Sequence, residues 1–123
     1  MKRIAKGLWA VSIVTSTTYA LAAGDAIRGK TRYDSLCLAC HSLDYNGVGP
    51  AHRGAFGRKA ASRSDYSYSP ALAASDVVWD AKTLGRWLSN PEKFIPGQKM
   101  GFSVPDARDR SDIIAYLKSQ PAN

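Results

Sequence analysis

The sequence predicts an all-α domain whose helices are separated by long loops. Three observations carry that reading. Apolar residues recur at helical spacing in segments ending near Leu36, Leu88 and Leu117. Helix-starting chemistry stands ahead of several segments, as in Ser69-Pro70 and Asp106. No segment reads as a strand, and there is no internal repeat or linker.

Asp25 to Leu36 forms the first expected helix, with Ile27, Tyr33 and Leu36 able to share one face. Ser42 to Ala55 is loop, marked by Asn46-Gly47, Gly49-Pro50 and Gly54. Residues 60–69 are polar and rich in small side chains. Ser69 caps a short helix, expected to reach Ser75, with Pro70 at its first position. Val77-Val78-Trp79 is an apolar link. Asp80 or Ala81 to Ser89 is a helix with Leu84, Trp87 and Leu88 inward, and Pro91 forces it to stop by Asn90. Pro91 to Pro105 is expected to be loop. Asp106 to Ser119 is the last helix, with Asp106 and Asp109 at the positive end of its dipole. The picture is three main helices plus a short one. Loops this long in so small a domain need explaining, and a buried ligand on which they pack is one explanation.

The first 22 residues read differently. Lys2, Arg3 and Lys6 precede an apolar centre from Leu8 to Val14, and Ala20-Leu21-Ala22 is a small-residue cleavage pattern. That is the layout of a secretory signal peptide. An uncleaved anchor is the alternative, but the stretch holds several Ser and Thr residues where a spanning helix wants about 20 predominantly apolar ones. The expected division is therefore residues 1–22, a signal peptide, and residues 23–123, one soluble domain. The whole chain of 123 residues carries a net charge of +7. Lys2, Arg3 and Lys6 supply three of those charges, leaving about +4 for the domain, a mildly basic surface suited to anionic partner surfaces. No Lys/Arg run exceeds two residues and no nucleic-acid motif occurs, so nucleic acid is not an expected partner.

Only two cysteines occur, in Cys37-Leu38-Ala39-Cys40-His41. A disulfide across two residues would close a tiny loop and restrain little of the unfolded chain. A thioredoxin-like pair needs a βαβ context that is missing here, and adjacent Cys40 and His41 do not easily serve one tetrahedral zinc. Cys-x-x-Cys-His is instead the attachment signature for haem c. Two thiols three residues apart add across the two vinyl groups of the porphyrin, and the following His41 is held under the ring, where it can ligate iron.

For the second axial ligand, the candidates beyond the initiator are His52 and Met100. Met100 stands in the loop Ile95-Pro96-Gly97-Gln98-Lys99-Met100, whose Pro and Gly can hold a thioether against iron. His52 lies too near His41 in sequence to reach the opposite face easily and reads as a surface or loop histidine. A neutral thioether favours the ferrous state and raises the potential. With both positions filled, iron can only gain or lose an electron.

These runs, together with Gly49-Pro50, Gly54-Ala55-Phe56-Gly57-Arg58, Tyr66-Ser67-Tyr68-Ser69, Trp79, Asn90-Pro91 and Ile114-Ala115-Tyr116-Leu117, closely resemble class I cytochromes c, in particular the mitochondrial-type branch with its bacterial periplasmic relatives. The resemblance spans about Asp25 to Leu117. It implies the cytochrome c fold: three main helices plus short ones, with long loops wrapped around one covalent haem. It also implies that the Pro50 carbonyl orients His41, that Arg58, Tyr68 and Trp79 hydrogen-bond a buried haem propionate, that Gly29 and Tyr33 pack against Tyr116, and that Phe102 shields the haem edge near Met100. The sequence departs from the pattern at Trp87, where the mitochondrial branch has a tyrosine near the sulfur, at Leu72 in place of asparagine, and at Gln98 in place of threonine. The Ser42 to Val48 loop is shorter, and lysines are fewer, though Lys59, Lys82, Lys93 and Lys99 remain.

The implied function is that of a monomeric, soluble periplasmic one-electron carrier in a respiratory chain or a related pathway, and not of an enzyme. It would shuttle between a quinol:cytochrome c reductase or periplasmic dehydrogenase and a terminal oxidase or similar acceptor. The competing readings are a haem peroxidase or small-ligand sensor with a labile Met100, and a domain in which haem is only a structural staple.

Overall fold

The computed structural model describes residues 23–123; the expected signal segment lies outside them. In chain order the helices are α1 (Ala26–Leu36), α2 (Pro70–Ala73), α3 (Ala81–Ser89), α4 (Pro91–Phe94) and α5 (Ala107–Lys118). The only sheet-like contact among the described residues is an isolated antiparallel bridge between Lys59 and Val78. No helix among them is long and apolar enough to cross a membrane.

Each boundary follows from side-chain chemistry. Asp25 accepts the backbone N–H groups of Ile27 and Arg28 at 2.9 Å and so starts α1. Ser69 accepts from Leu72 N–H, with Pro70 at the first helical position of α2. That helix stops at Ala73, two residues short of the expected Ser75. Asp80 and Thr83 cap α3 reciprocally. Asp106 accepts from Asp109 N–H to begin α5. Asn90 is extended, as a residue before proline must be, and ends α3.

Two expectations need correction. Pro91 to Pro105 is not all loop, because Asn90 also caps α4 by accepting from Lys93 N–H at 2.9 Å, with Pro91 at the first position. Ile27 is not on the inner face of α1; it is 84% exposed. The inward residues there are Gly29 and Tyr33.

The reason is how closely α1 crosses α5. A Cβ built on Gly29 would lie 1.9 Å from the Asp112 carbonyl oxygen and 2.9 Å from the Tyr116 Cβ, so the two backbones nearly touch. Tyr33 packs on Tyr116 with ring centroids 5.2 Å apart, as the resemblance implied. Around this crossing Tyr33, Leu84, Leu88, Val104, Ile113, Ile114, Tyr116 and Leu117 form the core. An ion pair locks its edge: Asp112, itself buried, accepts from Arg28 and from the Asp25 backbone N–H.

Candidate haem site

The site begins where α1 ends. Cys37 is the C-cap of α1, and its carbonyl accepts the N–H groups of Cys40 at 3.1 Å and His41 at 2.9 Å. This single hydrogen-bonded turn of backbone carries both cysteines and the histidine. Both thiols are free. Burial pushes the Cys37 thiol up to about 11, with Asp34 and Cys40 adding to the effect. A raised value is the opposite of what activates a thiol as a redox nucleophile. Among the described residues no group of three or more His, Cys, Asp or Glu side chains is placed to hold a metal ion.

His41 is oriented from the next loop. Its Nδ1 lies 2.8 Å from the Pro50 carbonyl oxygen. A carbonyl can only accept, so Nδ1 carries the proton and Nε2 keeps a free lone pair. Burial lowers the imidazole pKa, with the Pro50 carbonyl acting in the opposite sense, and the neutral ring is the form that ligates a metal. A Cβ on Gly49 would come 2.1 Å from His41 Cε1, so only glycine lets the loop close over the ring.

Met100 is half-buried and packs against the core from its own loop. Gly97 turns that loop at φ +88°, where side chains other than glycine's are strained. The Gln98 side-chain oxygen accepts from Met100 N–H at 2.5 Å, and its amide nitrogen donates to Glu92 at 3.2 Å. The other Glu92 oxygen takes the Gly97 N–H at 2.9 Å. The departure at Gln98 therefore builds a local clamp, which depends on α4 and escaped the sequence reading.

Arg58 and Trp79 are brought together. Trp79 N–H donates to the Arg58 carbonyl at 2.9 Å, and Gly57 N–H donates to the Trp79 carbonyl at 2.6 Å. Burial lowers the Arg58 pKa, while nearby Tyr68 works to raise it. One guanidinium nitrogen donates to the Arg53 carbonyl. Tyr68 sits edge-on to Tyr66, and Trp79 packs at 5.4 Å from Trp87.

His52 lies in the loop where it was expected, but its contacts there were not foreseen. Its ring stacks on His41 with centroids 3.9 Å apart and planes 22° apart, and its Nδ1 lies 2.9 Å from the Tyr33 hydroxyl. Burial pushes its pKa down to about 3, with His41 and Arg58 acting in the same direction, so it is neutral. Stacked this closely, the two rings leave no space for an iron between them.

The arrangement fits haem c on its own terms. It offers two free thiols and an unprotonated Nε2 from one turn, and a partly buried arginine for an anion. The partly buried apolar side chains Leu36, Leu43, Phe56, Trp79, Trp87 and Met100, packed against the core, suit a flat apolar group in their chemistry.

The family model for Cytochrome c matches residues 26–121. Cytochrome c of Gibberella zeae is 41% identical over 102 residues, covering 80% of this chain and 96% of that protein. Cytochrome c2 of Rhodomicrobium vannielii is 37% identical over 124 residues, covering 98% of each. Among solved structures, cytochrome cH from Methylobacterium extorquens superposes with a TM-score of 0.75 at 43% identity, covering 78% of this chain and 99% of that one. With the sequence runs, the helical architecture and these matches in agreement, the chain belongs to the cytochrome c family and is a carrier of electrons on covalently bound haem c, not an enzyme.

Proposed function

We propose that this protein is a soluble periplasmic one-electron carrier, with Cys37 and Cys40 forming the two thioethers and His41 and Met100 the axial ligands. The bond from His41 Nδ1 to the Pro50 carbonyl carries this reading, because it leaves Nε2 free and oriented. Bound haem c supplies an iron that cycles between two oxidation states. The protein's part is to hold that group still. Pro50 keeps His41 in one tautomer, and the Gln98–Glu92 clamp keeps the Met100 loop in place. Arg58, Tyr68 and Trp79 receive a propionate. Held in this way, His41 and Met100 would both be available to the iron, which would then exchange electrons with no change of ligand.

The first 22 residues are a signal peptide removed on export, and the carrier works as a monomer. It takes electrons from a quinol:cytochrome c reductase or a periplasmic dehydrogenase and passes them to a terminal oxidase or similar acceptor through transient docking. The exposed Lys82, Lys93 and Lys99 favour anionic partner faces.

Optical spectroscopy tests the ligand set. The ferric protein at neutral pH is expected to have a sulfur-to-iron charge-transfer band that Met100→Ala loses. A five-coordinate spectrum with rapid peroxide turnover in the unaltered protein would overturn the carrier assignment. Mass spectrometry of the exported protein is expected to find loss of about 22 residues and gain of one haem.

A further inference from the structure

We infer that His52, pinned by the Tyr33 hydroxyl, is a positioning residue for the proximal ligand: its stacked ring fixes the plane of the His41 imidazole. The inference rests on the reading of His41 as an iron ligand. A single hydrogen bond from Nδ1 to the Pro50 carbonyl fixes one point of the ring but leaves it free to tilt about that contact. A second ring at 3.9 Å and 22° supplies the missing plane constraint.

His52 can impose that constraint because it is itself held. Its backbone N–H donates to the Ser42 carbonyl at 2.9 Å. Its Nδ1 is 2.9 Å from the Tyr33 hydroxyl, and Tyr33 meets it edge-on at 5.7 Å. Tyr33 is only 1% exposed and is wedged against Tyr116 of α5. A continuous run of four aromatic rings, Tyr116, Tyr33, His52 and His41, thus carries the α1–α5 packing to the ligand. The polar contact at its centre has a purpose in this arrangement. An aliphatic residue at position 52 would fill space, but a ring has a plane to pass on, and the Tyr33 hydrogen bond holds that plane in register.

Proton NMR of the haem-loaded ferric protein tests this, since the spread of hyperfine-shifted haem methyl signals follows the plane of the axial imidazole. Three variants are compared with the unaltered protein: Tyr33→Phe, which keeps shape and removes only the hydroxyl; His52→Leu, which removes the stack; and His52→Phe, which restores a ring. Tyr33→Phe and His52→Leu are expected to change the methyl order or spread, and His52→Phe to return it toward the unaltered pattern. Should His52→Leu fail to accumulate, Tyr33→Phe carries the test alone. Methyl patterns for Tyr33→Phe and His52→Leu that overlay the unaltered protein's would overturn the inference while leaving His41 ligation intact. Absence of hyperfine-shifted His41 ring protons in the unaltered protein would instead overturn the ligand reading on which it stands.

Discussion

Replacing Gly29 with alanine should damage this protein far more than one methyl group ordinarily can, and replacing Gly85 should do the opposite. Both glycines lie inside helices, α1 and α3, where alanine is intrinsically favoured by about 1 kcal/mol. At Gly85 the nearest heavy atom to a new Cβ is Ile114 Cδ1 at 4.0 Å, an ordinary contact. The propensity gain is therefore realised, and Gly85→Ala stabilises by roughly 0.5–1 kcal/mol. At Gly29 the same atom would meet the Asp112 carbonyl oxygen at 1.9 Å and its carbon at 2.5 Å. Carbon-to-oxygen contacts settle near about 3.3–3.6 Å, so α5 must retreat by roughly 1.5 Å. A gap of even about 1 Å forfeits up to half the dispersion energy of each facing atom pair. Tyr33, Ile113, Tyr116 and Leu117 all face that crossing. The net loss is about 3 kcal/mol or more after the propensity gain, beyond the usual overpacking range because the obstacle is backbone. At about 4–8 °C per kcal/mol, Gly29→Ala lowers Tm by at least about 12 °C while Gly85→Ala raises it by several degrees. Thermal unfolding of the haem-loaded proteins, followed by far-ultraviolet circular dichroism, gives both numbers. A Gly29→Ala protein within about 1 kcal/mol of the unaltered one would refute the close crossing of α1 and α5.

Ile113→Ala empties a site only 1% exposed, and should cost about 3 kcal/mol in urea unfolding. The Arg28 guanidinium and then the Asp25 backbone N–H hold the Asp112 carboxyl below the usual carboxylate range. Its contribution is thus complete above about pH 4 and is lost as pH falls through the lowered value. Asp112→Asn should cost ~1 kcal/mol at neutral pH, a modest figure because Arg28 is half exposed, and this difference from the unaltered protein should vanish in acid. Gln98→Ala frees the Met100 N–H and the Glu92 contact; a lost hydrogen bond of about 0.5–1.5 kcal/mol translates to external imidazole binding up to tenfold tighter, read by optical titration.

What could be read without coordinates was what local chemistry dictates. Asp25, Ser69, Asp80 and Asp106 each cap a helix by reaching only two or three residues ahead, so their roles are written in neighbouring letters. The turn from Cys37 to His41 is equally local. The misreadings share a different cause. Asn90-Pro91 carries the same starting chemistry as Ser69-Pro70, but α4 is four residues long and sits in a Pro/Gly-rich stretch, where periodicity has no room to show. Ile27 has the right spacing for an inner face, but a helix crossing close enough to demand Gly29 turns that face toward Tyr33 instead. Tyr33 and His52 stand 19 residues apart in different elements, and nothing near either one announces the contact.

The division between helices and loops also explains why so small a domain tolerates so much irregular chain. The fully buried residues of the core come from α1, α3 and α5, with Val104 joining through its N–H to the Leu88 carbonyl. Leu43, Phe56, Trp79 and Met100, which belong to no helix, are only partly covered. Ala51, Ala55, Ala60 and Ile95 are buried outside that cluster, so the irregular stretches carry both buried and partly covered apolar side chains. Exposed apolar surface is unfavourable by about 25 cal/mol per Å², and a flat apolar group tethered at Cys37 and Cys40 is placed to cover it. On this view attachment and folding reinforce each other: the α1 turn sets where the haem hangs, and the haem gives the loops from Ser42 to Met100 a surface on which a single conformation is favoured.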